Sequence, residues 1–166
     1  MKRLVIIRHA KTEQSNSFVR DSNRKLIELG VDDAEMICNS LLKRSIIPDL
    51  IISSPATRAM ETAIIFSNKF NVATECIKTV EFLYKHFSFT GFIRMIERRD
   101  NAINTIFVIG HNPHISELAS RLMGVGYDHL PTTGIKCIAF NIDSWNKLSS
   151  GYGILEFFDY PNKHKG

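Results

Sequence analysis

The sequence predicts an α/β fold, a three-layer α/β/α sandwich around a mainly parallel central sheet. Three continuous apolar runs, at residues 4–7, 50–52 and 106–109, have the pattern of strands that are buried on both faces. Helical patterns separate these runs, so strands and helices alternate along the chain. This alternation is typical of a parallel sheet whose crossover helices cover both of its faces.

A first helix is predicted between the first two apolar runs. Ala34, Ile37, Leu41 and Leu42 lie at helical spacing, and the pattern runs to about Arg44. Apolar residues that recur three or four positions apart form one face of a helix, which we expect to pack on the sheet.

Two more helices are predicted to start with a polar N-cap followed by proline. Ser54 precedes Pro55 after the second apolar run, and Asn112 precedes Pro113 after the third. A side-chain oxygen at the N-cap satisfies a free backbone N–H, and proline suits the first helical position. Gly124 follows the third helical pattern, where a glycine commonly ends a helix.

The middle and the end of the chain complete the predicted fold. Residues 74–80 are interpreted as a strand and residues 89–99 as a helix. Residues 135–142 and 153–158 are strand-like, and a turn that contains serine and glycine separates them at 149–151. The last two strands are therefore expected to form an antiparallel pair.

Length and composition indicate a single globular domain that spans residues 1–166. Hydrophobic residues make up 44% of the chain and charged residues 23%, which excludes disordered and collagen-like classes. The net charge is +4, but no clustered basic stripe accompanies it, so no nucleic-acid partner is expected. No apolar stretch approaches the ~20 residues that span a bilayer, so no membrane association is expected.

Cysteine usage favours a reducing compartment. The three cysteines, Cys38, Cys76 and Cys137, are odd in number and scattered, and no C-x-x-C pair occurs. We interpret them as small apolar residues without a disulfide. The apolar run near the N-terminus is too short for a secretion signal, so a cytoplasmic protein is expected.

Basic and imidazole side chains follow the three apolar runs. Arg8 and His9 come directly after the first run, Arg58 follows the second, and His111 follows the third. In an open parallel sheet, ligands bind beyond the carboxyl ends of the strands, so these four residues should meet at one edge. Grouped positive charges repel one another unless an anion neutralises them, and guanidinium groups match phosphate oxygens. The sequence therefore predicts a phosphate site.

The motifs of metal and nucleotide chemistry are missing from the sequence. It contains no H-E-x-x-H pattern and no Cys/His metal spacing, so no metal and no cofactor are expected. It also lacks the G-x-x-x-x-G-K-[ST] loop that holds nucleoside triphosphates. A histidine nucleophile that carries the phosphoryl group as N-phosphohistidine is the option that remains. Ser54 is interpreted as a helix cap rather than as a nucleophile.

Three ordered motifs carry a resemblance to a known family. Arg-His-Ala-Lys at 8–11, Ser-Ser-Pro-Ala-Thr-Arg-Ala-Met-Glu-Thr-Ala at 53–63 and Gly-His-Asn-Pro at 110–113 resemble the phosphoglycerate-mutase-like histidine phosphatase superfamily. Asp-Ser-Asn-Arg at 21–24 and Leu-Pro-Thr-Thr-Gly-Ile at 130–135 are similar to its short phosphohistidine phosphatase branch. The resemblance covers nearly the whole chain, and the fold that it implies is the α/β/α fold predicted above.

The resemblance implies a role for each of the four residues. His9 matches the nucleophile that becomes phosphorylated, and His111 matches the histidine that hydrogen-bonds the transferring group. Arg8 and Arg58 match the arginines that hold phosphate oxygens. Two nearby guanidinium groups should also keep His9 neutral, because they disfavour the imidazolium ion. Nε2 of His9 would be the attacking atom if a backbone carbonyl holds Nδ1.

Four further residues are candidates for the site. Glu81 stands where many relatives carry the acid that protonates the leaving group, and a surface glutamate is the alternative. Asp21 matches a motif acid that could cap the following helix or orient Arg24 or a catalytic group, and it is included among the substrate-binding candidates. Thr12 and Asn112 are expected to donate hydrogen bonds to the substrate.

The resemblance implies a phosphatase that acts through a phosphohistidine intermediate, and phosphohistidine in a protein is the expected substrate. The span from Arg58 to His111 also has to hold most of two helices and a strand, so little chain remains for a lid. An open site would admit a residue on a protein surface. Two alternatives are a phosphatase of small phosphomonoesters and a non-catalytic module that binds phosphate or phosphopeptides.

Overall fold

The computed structural model describes all 166 residues, and its six strands form one sheet. The strands are β1 (Lys2–Arg8), β2 (Leu50–Ser53), β3 (Ile77–Thr79), β4 (Thr105–Gly110), β5 (Ile135–Phe140) and β6 (Ile154–Asp159). Their order across the sheet is β3-β2-β4-β1-β5-β6. The first four in that order are parallel, whereas β5 runs antiparallel to β1 and β6 runs antiparallel to β5. The prediction of a mainly parallel sheet that ends in an antiparallel pair is confirmed.

Four α-helices cover the two faces of the sheet. They are α1 (Glu28–Lys43), α2 (Thr57–Lys69), α3 (Phe89–Glu97) and α4 (His114–Met123). Buried residues of α1 and α2, such as Ile37 and Phe66, belong to one core, whereas Phe92 of α3 and Leu118 of α4 belong to a second core. The predicted three-layer arrangement is confirmed. None of these helices has the length and apolar character needed to cross a membrane.

The apolar runs are continuous because both faces of the central strands are covered. Successive side chains of a strand point to opposite faces of the sheet. In β1, Leu4 and Ile6 lie in the core beside α3 and α4, whereas Val5 and Ile7 lie in the core beside α1 and α2. All four side chains are fully buried, so no position in the run is free to be polar.

The N-cap predicted at Ser54 is wrong. α2 begins at Thr57 with Ala56 as its N-cap residue, and no side chain caps it. The backbone N–H of Ser54 donates to the carbonyl of Ile109 in β4 at 3.0 Å, so the chain is still paired with the sheet at this position. A helix cannot start before that pairing ends, which moves its first turn along the chain.

The N-cap predicted at Asn112 is also wrong. α4 begins at His114, one residue later than a helix capped by Asn112 would. The side-chain amide of Asn112 donates to the carbonyl of Leu130 at 2.8 Å, and its oxygen accepts from the hydroxyl of Ser116. These bonds occupy the side chain that the sequence predicts as the cap. The predicted end of α4 is confirmed, because Gly124 follows it in the left-handed conformation at φ 69°.

The segment around β3 is less regular than predicted. The strand covers only Ile77–Thr79 of the predicted 74–80, and a 3₁₀ turn at Thr74–Cys76 precedes it. A second 3₁₀ turn, Glu81–Leu83, follows the strand, and Leu83 is buried in the core beside α3. The segment between β3 and α3 is therefore anchored to the core by Leu83.

Replacement of Phe107 by alanine should destabilise the fold strongly. Phe107 is fully buried in β4, and the rings of Phe66 and Phe70 meet it edge-on at 6.1 and 5.6 Å. Loss of a buried ring leaves a cavity, so we expect the free energy of unfolding in urea to fall by about 3–5 kcal/mol. Phe18→Ala is the control, because that ring is 94% exposed. Equal losses in the two variants would contradict the packing described here.

Candidate active site

Parallel register brings the ends of three strands together. In the sheet, β4 lies between β2 and β1, with Arg8 opposite Gly110 and Ser53 opposite Ile109. The backbone N–H of His9 donates to the carbonyl of Gly110 at 3.1 Å, which extends the pairing by one residue beyond β1. The segments that follow the three strands therefore leave the sheet at one edge. They carry the side chains of His9, Ser54, Arg58 and His111.

His9 keeps one ring nitrogen free of protons. Nδ1 lies 2.8 Å from the backbone carbonyl of Ala10, and since a carbonyl only accepts, Nδ1 carries the proton and Nε2 the lone pair. Burial, together with the charges of Arg58 and Arg8, lowers the pKa of His9 to about 4. The imidazole is therefore neutral at neutral pH. The residue retains 7% of its surface exposed, so it is not sealed from solvent.

The second imidazole lies beside the first. The ring centroids of His9 and His111 are 5.0 Å apart, and the ring planes are tilted by 52°. Nε2 of His111 lies 2.7 Å from the hydroxyl oxygen of Ser54, whereas Nδ1 is buried without a hydrogen-bond partner in the protein. Burial, followed by the effects of His9 and Arg58, lowers the pKa of His111 to about 3. Both imidazoles are therefore neutral together.

Asp21 positions the guanidinium group of Arg58. Nη1 of Arg58 donates to the backbone carbonyl of Asp21 at 2.7 Å, and Nη2 donates to its carboxylate at 3.1 Å. The carboxylate also accepts from Nε of Arg24 at 3.1 Å and from the hydroxyl of Tyr84 at 2.8 Å. Partial burial opposes ionisation, but the hydrogen bonds from Tyr84 and Arg58 lower the pKa of Asp21 to about 2. Asp21 is thus an ionised group that orients two arginines.

Arg8 is held by the loop that precedes β5. Its Nη1 donates to the carbonyl of Leu130 at 3.2 Å and lies 3.5 Å from Nε2 of His129. The amide of Asn112 donates to the same carbonyl at 2.8 Å, so Asn112 supports this loop. Burial lowers the pKa of the Arg8 guanidinium. The side chain of Asn112 bonds to protein groups in this structure. Its predicted contact with the substrate stays a prediction.

Thr12 and Glu81 form no hydrogen bond with Arg8, His9, Arg58 or His111. The hydroxyl of Thr12 donates to the carbonyl of Glu13 at 2.9 Å and accepts from Nη1 of Arg24 at 3.0 Å. Glu81 is the exposed first residue of the 3₁₀ turn after β3, and its carboxylate forms no ion pair. Substrate binding by Thr12 and protonation of a leaving group by Glu81 therefore stay predictions.

Two contacts fix the segment that carries His9. The backbone N–H of Ala10 donates to the hydroxyl of Thr62 at 3.1 Å, and that hydroxyl donates to the carbonyl of Arg58 at 2.8 Å. A Cβ atom at Gly30 would lie 2.2 Å from the carbonyl oxygen of Lys11, so only glycine lets α1 approach this segment. α1 and α2 thereby hold the chain that leaves β1.

Sequence reasoning missed the roles of three residues that the structure places in or beside the site. Ser54 is interpreted from sequence as a cap, yet its hydroxyl contacts His111. Arg24 is not one of the three, because its orientation by Asp21 is among the roles that the sequence suggests, and the structure shows this ion pair at 2.9 Å. Tyr84 lies 5.5 Å from the His111 ring and His129 beside Arg8. Both positions arise from loop packing, for which the sequence carries no periodic signal.

The main surface cavities lie away from the site. The five main surface cavities are lined by residues other than His9, Arg58 and His111. The largest, of about 530 Å³, lies beside the end of α1, where Lys43 and His164 line it. The structure also contains no group of three or more His, Cys, Asp or Glu residues that could hold a metal ion.

Part of the sequence that forms this site matches a known protein family. Paired histidines and paired arginines lie at the carboxyl edge of a mainly parallel sheet that helices cover on both faces. The family model described as histidine phosphatase superfamily (branch 1) matches residues 4–81. Over these residues, nearly half of the chain, the sequence is similar to the histidine phosphatase superfamily, which its motifs also resemble.

Known proteins are similar to the chain in sequence or in structure. An uncharacterized chloroplastic protein of Arabidopsis thaliana is 31% identical over 132 residues, which are 74% of this chain and 60% of that protein. The structure of the protein histidine phosphatase SixA with tungstate matches with a TM-score of 0.84 and 19% identity, over 98% of this chain and 99% of that one. A mycobacterial glucosyl-3-phosphoglycerate phosphatase with VO3 matches with a TM-score of 0.71 and 14% identity, over 96% and 100%. The predicted fold is confirmed.

Stability should fall as the pH falls from 7 to 5. In the unfolded chain the histidines bind protons near pH 6.5, but His9 and His111 resist protonation in the fold until about pH 4 and 3. The unfolded state therefore binds more protons in this window, and the free energy of unfolding should decrease by roughly 2–4 kcal/mol. Urea denaturation at the two pH values measures this decrease. In the double variant His9→Gln and His111→Gln, the free energy of unfolding should decrease by less than half as much between pH 7 and pH 5. A decrease equal to that of the wild type would contradict the buried neutral pair.

Proposed function

We propose that this protein is a phosphatase that removes the phosphoryl group from phosphohistidine in a partner protein, through a phosphohistidine intermediate on His9. The observation that carries the proposal is the hydrogen bond from Nδ1 of His9 to the carbonyl of Ala10 at 2.8 Å. It leaves the lone pair on Nε2, and a neutral imidazole with a free nitrogen is the form that attacks phosphorus. Arg58 and Arg8 act on the same imidazole, so they support binding of a phosphoryl group there.

In the first step, Nε2 of His9 attacks the phosphorus atom and the P–N bond to the substrate imidazole breaks. The electron pair of that bond returns to the leaving nitrogen. The leaving ring, which carries a proton on its other nitrogen, departs as neutral imidazole. Arg8 and Arg58 stabilise the charge on the equatorial oxygens, where the transition state of phosphoryl transfer concentrates it. No side chain has to supply a proton.

In the second step, water attacks the phosphorus atom of phospho-His9. The P–N bond breaks, and its electron pair returns to Nε2, while Nδ1 keeps its proton against the carbonyl of Ala10. Both protons of the water remain on the product, which leaves as dihydrogen phosphate. The neutral imidazole is thereby restored for the next cycle.

Two features of the chain support a phosphohistidine substrate. Glu81 forms no ion pair and no bond with the four predicted residues, and an imidazole leaving group needs no acid. We also expect an open site, because the five main surface cavities are lined by other residues, and an open site would admit a phosphorylated side chain on a protein surface. A full-length fold match described as a protein histidine phosphatase agrees with this choice.

Hydrolysis of small phosphomonoesters is the second candidate. It is favoured by the fold match to a structure described as a glucosyl-3-phosphoglycerate phosphatase. An alkoxide leaving group needs a proton, and Glu81 is the donor that we propose for this reaction. A module that binds phosphate or phosphopeptides without turnover would use the same four residues, but it would have no need of a free Nε2 on His9.

We retain the cytoplasm as the proposed location because the cysteines support it. All three cysteines are free thiols, and two of them, Cys38 and Cys137, are buried. Burial raises the pKa of both buried thiols to about 12. Such thiols are inert apolar residues, which suits a reducing compartment.

A phosphohistidine protein labelled with radioactive phosphate should transfer its label to His9. We expect acid-labile, alkali-stable label on the enzyme after rapid quenching, followed by release of inorganic phosphate. His9→Gln should abolish both, whereas the exposed His86→Gln is the matched control and should retain them. Full turnover by His9→Gln would overturn the mechanism. Tight phosphate binding without turnover by the wild type would establish the binding module instead.

Glu81→Gln should separate the two substrate classes. If Glu81 protonates alkoxide leaving groups, the variant should lose about tenfold to a hundredfold in kcat/KM on an alkyl phosphate. The ratio of activity on phosphohistidine to activity on that ester should rise by the same factor. Glu75→Gln, another exposed glutamate near β3, is the matched control. An unchanged ratio would remove Glu81 from the mechanism, and a faster wild-type rate on the ester would overturn the substrate proposal.

A further inference from the structure

We propose that Ser54 is a positioning residue whose hydroxyl donates to Nε2 of His111 and thereby places the proton of that imidazole on Nδ1. The inference concerns a proton that neither the motifs nor the family match assigns. Its kinetic consequence rests on the proposed function, whereas its structural content does not.

The hydrogen-bond partners of Ser54 show which atom can accept the proton of its hydroxyl group. The residue is fully buried, and its oxygen accepts from the backbone N–H of Ala56 at 3.2 Å. The second partner of that oxygen is Nε2 of His111 at 2.7 Å, a short distance for a bond between a hydroxyl and a ring nitrogen. A serine hydroxyl has one proton to donate, and Nε2 is the acceptor within its reach.

The reverse arrangement leaves a buried donor without a partner. If Nε2 of His111 donated to Ser54, the hydroxyl oxygen would accept two bonds and its own proton would have no acceptor. Unpaired buried donors are rare in folded proteins because their lost hydration is not replaced. The arrangement in which Ser54 donates leaves one polar atom without a partner in the protein, Nδ1 of His111, whereas the reverse arrangement leaves two, that nitrogen and the hydroxyl proton.

Because the ring of His111 is neutral, a hydrogen bond accepted by Nε2 determines that Nδ1 carries the ring proton. His111 is buried and holds a single ring proton at neutral pH, as the lowering of its pKa to about 3 also indicates. With Nε2 accepting from Ser54, that proton is on Nδ1. Nδ1 has no partner in the protein and belongs to the ring that lies 5.0 Å from His9. We infer that it donates to an oxygen of the phosphoryl group in transfer.

The two imidazoles then hold the same tautomer for opposite purposes. A backbone carbonyl fixes the proton of His9 on Nδ1 and leaves Nε2 as a nucleophile. A hydroxyl fixes the proton of His111 on Nδ1 and makes that nitrogen a donor. One ring supplies the electron pair of the new bond, and the other stabilises charge on an oxygen.

Nitrogen NMR of the histidine rings tests the proton position directly. In the ¹⁵N-labelled wild type at pH 7, long-range ¹H–¹⁵N correlations should show Nδ1 of His111 protonated and Nε2 unprotonated. The signals of His111 are identified by their loss in His111→Gln. A protonated Nε2 in the wild type would overturn the proposal, whatever the activity of the protein.

Ser54→Ala should release this constraint. Without the donor, the ring should shift toward the tautomer with the proton on Nε2, and kcat/KM should fall about tenfold because part of the population lacks the Nδ1 donor. Ser54→Thr keeps the hydroxyl and should restore both the tautomer and the rate. A tautomer that is unchanged in Ser54→Ala would overturn the proposal.

Ser53→Ala is the matched control. Ser53 is as buried as Ser54 and precedes it directly, but its hydroxyl donates to the carbonyl of Ser54 at 2.9 Å and not to a ring. Thermal unfolding of both variants measures the general cost of losing a buried hydroxyl. If Ser53→Ala shifted the His111 tautomer equally, the effect would be one of packing and the proposal would fail.

The outcomes separate this inference from the proposed function. A wild type that hydrolyses no phosphorylated substrate, yet shows the predicted tautomer and its change in Ser54→Ala, would reject the function and retain the positioning of the proton. An active wild type whose rate and tautomer are the same in Ser54→Ala would reject the positioning and retain the function.

Discussion

The register of β1 against β4 is the constraint on which the rest of the site depends. Arg8 pairs with Gly110, and the next residue along β1 still bonds to that glycine, so the two histidines leave the sheet side by side. Side chains alternate between the faces of a strand, so a slip of one residue would turn the apolar run toward the wrong cores as well. The two cores that stabilise the sheet therefore also place His9 beside His111. Packing and function are fixed by the same register.

Electrostatics explains why backbone carbonyl groups, with one carboxylate, orient the two arginines. Two guanidinium groups lower the pKa of a nearby imidazole, which suits a nucleophile but concentrates positive charge. Arg58 is oriented by the carbonyl and the carboxylate of Asp21, and Arg8 is oriented by the carbonyl of Leu130. Carbonyl groups orient a guanidinium without neutralising it, so much of the positive field remains for an anion. Asp21 is half exposed, and solvent weakens its hold on that field.

The sequence predicts the fold well because the fold follows from burial. The continuous run of β4 and the spacing of apolar residues in α1 report their surroundings directly, and the structure confirms both elements. The site is predicted only where its residues follow strands, since strand ends converge by topology. The sequence predicts caps at Ser54 and Asn112 because serine and asparagine commonly cap helices. In the structure the two side chains bond to His111 and Leu130, which are distant in sequence, so no local pattern indicates these contacts.

The proposed substrate fits the chemistry of a site that positions imidazoles rather than acids. Transfer of a phosphoryl group from one imidazole to another breaks a P–N bond and forms a P–N bond, so the two sides of the first step are chemically matched. The catalyst then needs a lone pair, donors for three oxygens and no proton for the leaving group. In the proposed mechanism, His9 supplies the lone pair, Arg8 and Arg58 supply donors, and His111 adds a further donor when its proton lies on Nδ1. An ester would require one more element, an acid in contact with the leaving oxygen, and the carboxylate of Glu81 makes no contact that would hold it in that place.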